Sequence, residues 1–188
     1  MKLINQTEMK FRSKELLDKI SKGAVFIHPT DTIYGLGCNA LDEKAVAKIR
    51  TLKERPDMPL SIWAPSLKWI KENCNVNKKA ELWLAKLPGP YTLILKLKKD
   101  SLIAKNVSPG KKTIGVRIPN HWFSDVIKYF GQPIITTSAN KAGQPFMTSK
   151  ENLDPEIERN VEFIVYEGEI KARPSKIIDL VTGETKER

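Results

Sequence analysis

The chain has 188 residues, 40% of them hydrophobic, and 32 Lys and Arg against 22 Asp and Glu, for a formal net charge of +10. That length buries the core of one domain, while two cysteines, Cys38 and Cys74, exclude a disulfide scaffold and, with His28 and His121, offer no paired metal-ligand spacing. No apolar run approaches the ~20 residues of a membrane helix and the N-terminus lacks a signal-peptide core, so the reading is a cytoplasmic globular chain with no membrane partner and no structural metal.

In chain order, residues 8–21 place Phe11, Leu16, Leu17 and Ile20 at helical spacing before Gly23. Residues 24–28 form a short apolar strand stopped by Pro29. Asp42 reads as an N-cap, with Ala45, Val46, Ile49 and Leu52 on one helix face. Residues 60–64 read as a strand, and 66–73 and 77–87 as helices that stop at Pro88-Gly89-Pro90. Strands follow at 91–97 and 113–118. Trp122, Phe123, Val126, Ile127 and Phe130 mark a helix closed by Gly131. Residues 134–137, 162–166 and 176–180 read as strands. Interspersed elements make the class α/β. The strands at 91–97 and 113–118 have no helix between them, which predicts a mixed rather than purely parallel sheet.

The charge is uneven. Residues 1–140 hold 24 basic and 12 acidic side chains, and 141–188 hold 8 and 10. The basic portion suits anionic partners such as nucleotide, polyphosphate or RNA, and serves solubility equally well. No P-loop, dinucleotide fingerprint or Ser-His-Asp arrangement is present.

Four places concentrate chemistry. Pro29-Thr30-Asp31-Thr32-Ile33-Tyr34-Gly35-Leu36-Gly37 follows a strand and combines hydroxyls, a carboxylate and a phenol with two glycines that suit a tight turn; Asp31 is open to a site role or a local cap. Lys53 and Arg55 leave a helix end together, where they can grip a polyphosphate or simply complement the helix C-terminus. Thr136-Thr137-Ser138-Ala139-Asn140 follows another apolar strand and can offer N–H groups to an anion. Arg117 ends an apolar strand and needs either an internal carboxylate or a ligand's. His28 reads as a strand-end histidine, and the cysteines and Trp63, Trp69, Trp83 and Trp122 as packing.

Six segments in order resemble the YrdC/TsaC family of threonylcarbamoyl-AMP synthases. They are residues 29–37, Lys53-x-Arg55-Pro56, Pro88-Gly89-Pro90-Tyr91-Thr92, Gly115-Val116-Arg117-Ile118-Pro119, Ser138-Ala139-Asn140 and Pro174-Ser175-Lys176-Ile177-Ile178-Asp179. The resemblance implies one YrdC-like domain over residues 1–188 without a C-terminal extension domain: an open twisted mixed sheet flanked by helices, around a basic concave cavity. It implies condensation of L-threonine, bicarbonate and ATP, with Mg2+ on the triphosphate, into threonylcarbamoyl-AMP and pyrophosphate for tRNA modification, with a threonylcarbamoyl transferase downstream. By motif position Lys53 and Arg55 hold ATP phosphates and are the catalytic pair. Thr113, Ser138, Ala139 and Asn140 line the nucleotide side. Thr32, Tyr34, Arg117, Thr137 and Ser175 face threonine. The chain departs from the pattern in a loop one residue shorter at Asp57-Met58-Pro59-Leu60, in Trp63 where many members have histidine, and in Lys176 after Ser175; Arg188 is a candidate for the family's late arginine. The alternatives are a non-enzymatic RNA-binding paralogue, using the basic face, and a carbamoyl-transfer domain like that of hydrogenase maturation proteins.

Overall fold

A computed structural model describes residues 2–99 and 102–186, so Arg188 lies outside the described residues. The elements are β1 (Lys2–Ile4), α1 (Gln6–Phe11), α2 (Ser13–Ser21), β2 (Phe26–His28), β3 (Gly35–Gly37), α3 (Glu43–Leu52), β4 (Ser61–Trp63), α4 (Leu67–Asn73), α5 (Lys78–Leu84), β5 (Tyr91–Lys96), β6 (Thr113–Arg117), α6 (Phe123–Phe130), β7 (Ile134–Ile135), β8 (Thr137–Ser138), α7 (Pro155–Asn160), β9 (Phe163–Val165), β10 (Lys176–Asp179) and β11 (Thr185–Lys186).

Local chemistry explains where the helices begin and end. Asp42 Oδ1 accepts from the N–H groups of Lys44 and Ala45 and starts α3, which buries Ala45, Val46, Ile49 and Leu52. Gly131, at φ 73°, donates its N–H to Ile127 and closes α6. The helix expected over 8–21 begins earlier, at a capping box between Asn5 and Glu8, and divides at Arg12 into α1 and α2. The sequence reading passed over α7, although Asp154 caps it and Pro155 opens it.

The class is α/β with mixed pairing, as the alternation of elements implies. The strands form two ladders rather than one: β1-β9-β2-β3-β8 and β11-β10-β5-β6-β4-β7. One stretch of chain serves both. β7 pairs antiparallel with β4 in the second ladder, and two residues on, β8 pairs antiparallel with β3 in the first. Thr136 is the crossing point, its N–H donated to the Ser61 carbonyl at 2.9 Å. Two apolar clusters hold the layers. The larger joins α3 and α5 to both ladders through residues such as Ile49, Leu84, Leu93, Val116 and Ile135. The smaller packs α2 and α6 through Leu17, Ile20, Phe123 and Ile127 against Phe26, Trp63 and Phe163.

Candidate active site

Strands that part from a shared seam leave a groove, and the polar residues of the first and third sequence segments line it. A narrow cleft, with room for little more than one water (about 10 Å³), is lined by Thr30, Tyr34, Ser61, Thr92, Arg117, Thr137, Ser138 and Ser175. The Thr30 hydroxyl accepts from the N–H groups of Thr32 and Ile33, at 3.1 Å each, and holds this turn in shape. Arg117 Nη2 donates to Asp31 Oδ1 at 3.1 Å and to Thr32 Oγ1 at 3.0 Å. Asp31 Oδ2 accepts from the N–H of Asn120 at 2.9 Å. Of the two partners open to Arg117, the internal carboxylate is therefore present, and it aims the guanidinium along the cleft. Across the groove, Ser175 Oγ and Thr92 Oγ1 are 2.8 Å apart, brought together by the parallel pairing of β10 with β5.

Tyr34 is fully buried. Its hydroxyl donates to the Gly168 carbonyl at 2.6 Å and accepts from the Glu167 N–H at 3.1 Å, and its ring stacks on Tyr166. Burial pushes the phenol well above its ordinary pKa, so it stays neutral. The group read as a threonine contact is thus a brace for the 166–168 segment as well as a wall of the cleft.

The two glycines of the first segment do not make a tight turn. They lie in β3, paired with β2, and a Cβ on Gly35 would overlap the His28 ring. On Gly37 a Cβ would meet the same ring at 2.9 Å. The spacing Gly-x-Gly exists to seat the imidazole on the face of β3. His28 is fully buried, stacked on Phe123 and edge-on to Trp63, and desolvation pushes its pKa down to about 3. It is a neutral packing residue. Trp63 is equally buried in this cluster, so the departure at this position is accommodated in the core rather than in the cleft.

A second, wider cleft of about 520 Å³ opens beside the first, lined by residues 53–58 and by Ser138, Asn140, Ala142 and Gly143. Its first wall is the end of α3. Lys53 is the C-cap, Glu54 takes a left-handed φ of 51°, and the N–H groups of Glu54 and Arg55 return to the carbonyls of Thr51 and Arg50. This is a Schellman closure with glutamate where glycine is usual. A lysine that grips ATP phosphates would lie on the cleft surface, but Lys53 is 1% exposed. Its ammonium donates to the Ser138 carbonyl (2.7 Å), the Asn140 carbonyl (2.8 Å) and Asn140 Oδ1 (3.2 Å). Lys53 therefore pins the second wall to α3 and lends it positive charge. Asn140 completes that wall by accepting from Ser138 Oγ and donating to the Gln144 carbonyl. Arg55 is half-buried, and its Nη2 lies 3.4 Å from the Pro59 carbonyl.

The remaining expected residues lie apart. Ala139 is buried, with its N–H on the Tyr34 carbonyl and its carbonyl on the Met147 N–H, and lines neither cleft. Thr113 lines neither cleft, but it shares a face of β6 with Gly115 and Arg117 by strand alternation. Gly115 lets the side chains of Ser61 and Thr92 close over that face, since a Cβ there would meet Ser61 Oγ at 2.8 Å. Sequence reasoning missed Ser61 and Arg50. Ser61 had only its place at a strand start as a signal, and Arg50 reads as an ordinary cation in a last helical turn. Among the described residues, no three His, Cys, Asp or Glu side chains come together as metal ligands. No helix of the described residues is long and apolar enough to cross a membrane.

An α/β frame with a polar seam between two ladders and a wider cleft beside it, lined by Lys53 and Arg55 together with Glu54 and Asp57, defines the class of this protein. Residues 18–187 match the Sua5_yciO_yrdC family model, described as "Telomere recombination". The chain belongs to the Sua5/YciO/YrdC family. It is 35% identical over 166 residues to the threonylcarbamoyl-AMP synthase of Pyrococcus abyssi, covering 86% of this chain but 48% of that one. It is 31% identical over 173 residues to the threonylcarbamoyl-AMP synthase of Xanthomonas campestris, covering 88% and 91%. Among solved structures, P. abyssi Sua5 complexed with L-threonine superposes with a TM-score of 0.82 at 29% identity, covering 95% of this chain and 54% of that one. Escherichia coli YciO superposes at 0.83 with 25% identity, covering 100% and 96%. The chain thus spans about half the length of the P. abyssi relative.

Proposed function

We propose that the protein is a nucleotidyltransferase that condenses L-threonine, bicarbonate and ATP into L-threonylcarbamoyl-AMP and pyrophosphate. The observation that carries this reading is Ser138, which lines both clefts. A small amino acid in the seam and a triphosphate in the wider cleft would meet there. The names of the relatives support the same reading.

Threonine sits at the mouth of the narrow cleft, whose interior admits little more than a water, with its carboxylate toward Arg117 and the hydroxyls of Thr137 and Ser175 near it; Thr32, which lines neither cleft, acts by holding Arg117. In the wider cleft, Arg55 takes the phosphates directly. Lys53 adds charge through the wall it pins, and Ser138 and Asn140 shape that wall. Thr113, on the open face of β6, lies toward the nucleoside. The threonine nitrogen bonds to the carbon of bicarbonate-derived CO2 and releases a proton, giving a carbamate. A carbamate oxygen then bonds to the α-phosphorus as the bond to pyrophosphate breaks. Both reactants are anions, so positioning and positive charge in a partly dry cleft are what the protein supplies. Mg2+ enters with the triphosphate. The product serves a threonylcarbamoyl transferase acting on tRNA in the cytoplasm, and the basic residues of 1–140 are a surface for tRNA. The test is pyrophosphate release from ATP with and without L-threonine and bicarbonate. Release that requires both is expected. No release and no ATP binding would overturn the reading and favour an RNA-binding paralogue.

A further inference from the structure

The wall of the wider cleft that carries Arg55 is an irregular turn, and irregular backbone keeps one shape only if its polar groups are held. Arg50, one turn back on α3, is 8% exposed and sends its donors to this turn and to the segment beneath it. Nη1 donates to the carbonyls of Arg55 (2.9 Å), Pro56 (2.7 Å) and Met58 (3.1 Å). Nε donates to the Asn106 carbonyl (2.6 Å) and Nη2 to that of Val107 (3.2 Å). One planar fork thus ties the Arg55–Met58 turn to the 3-10 turn at Lys105–Val107. A lysine, with three donors on one nitrogen, cannot span these acceptors.

We infer that Arg50 is a positioning residue for nucleotide binding: by gripping three carbonyls of the 55–58 turn it fixes the place and orientation of the Arg55 guanidinium in the wider cleft. The inference rests on the reading of that cleft as the ATP site. Burial holds the Arg50 guanidinium below its ordinary pKa; the neighbouring Arg55 charge adds to that effect and the Asp57 carboxylate opposes it.

The test is a double-mutant cycle of ATP and L-threonine dissociation constants, measured by calorimetry on Arg50→Met, Arg55→Ala and the combined variant. Arg50→Met is expected to weaken ATP by about tenfold to a hundredfold, because a small misplacement of a binding group is costly. L-Threonine affinity should stay within about twofold, and the combined variant should bind ATP about as Arg55→Ala does, since Arg50 acts through Arg55. Wild-type ATP affinity in Arg50→Met, equal losses for ATP and threonine, or losses that multiply in the combined variant would each overturn the inference. If Arg50→Met does not fold, Arg50→Lys decides: weakened ATP with threonine retained upholds the inference, and unchanged ATP overturns it. Unchanged ATP affinity in Arg55→Ala would instead overturn the assignment of the ATP site itself.

Discussion

The two halves of the site are built by different means. The narrow cleft is made of strand ends, and its shape follows from register. Arg117, Ser61, Thr92 and Ser175 meet because β6, β4, β5 and β10 are paired, and side-chain bonds such as Arg117–Asp31 only trim the result. The wider cleft is made of loops, and its shape follows from two buried cations that hold main-chain carbonyls. Lys53 grips one wall and Arg50 the other. A sheet-built half is rigid because a whole ladder must move to change it. A loop-built half is only as well defined as the few charged groups that tie it down.

That contrast can be broken at its strongest point with Gly35→Ala. The new methyl group would press on an imidazole locked between Phe123 and Trp63. The expected cost is about 3 kcal/mol or more, seen as a fall in melting temperature, with partial recovery when His28→Ala is added. Lys53→Met attacks the loop-built half. It removes the ammonium from two carbonyls and an amide oxygen, of which the Ser138 carbonyl keeps the Asn140 N–H and Asn140 Oδ1 keeps the Ser138 hydroxyl, at about 2 kcal/mol, and should abolish ATP-dependent activity. The surface placement expected from sequence would instead leave the melting temperature near wild type, so denaturation of this one variant distinguishes the two.

Acid sharpens the comparison further. The folded pKa of His28 is about 3 against an ordinary 6.5. Between those values the unfolded chain takes up a proton that the folded chain refuses. The stability is therefore complete above pH 6.5 and declines as pH falls, by roughly 2 kcal/mol at pH 5. Denaturant titrations at pH 7.5 and 5 measure this, and His28→Phe should flatten the slope. The smallest effect is expected from Glu54→Gly. It relieves the left-handed backbone and gives up an exposed ion pair to Lys141, for a net gain below about 1 kcal/mol in the same titration.

Most of the frame was legible in the sequence because its signals are local. Asp42, Gly131 and the apolar runs at 91–97, 113–118 and 176–180 each mark an element by their own chemistry. β3 was not legible as a strand. Its glycines signal a turn to any local reading, and the reason for them is a histidine seven residues earlier in the chain. Several residues lining the narrow cleft, such as Thr30, Tyr34 and Thr137, were legible because polar groups after apolar strands stand out, whereas Ser61, at a strand start, was not. The roles in the wider cleft were not. Lys53 and Arg50 look like ordinary helix-end cations, and their partners are carbonyls of residues 138–140 and 55–58, which carry no side-chain signature. The division of the sheet into two ladders was hidden for a similar reason, since the run at residues 134–137 reads as one strand and only pairing separates its ends.

The same run has a consequence for what the protein can hold. Its first residues are hydrogen-bonded into one ladder and its last into the other, with Thr136 between. The separation of the two ladders at the seam is therefore counted out in peptide units, like marks on a ruler, at roughly 3.3 Å each. One residue more or fewer would also swap which side chains point into the groove. The width of that seam is written into the covalent length of a five-residue segment, and no rearrangement of side chains can change it.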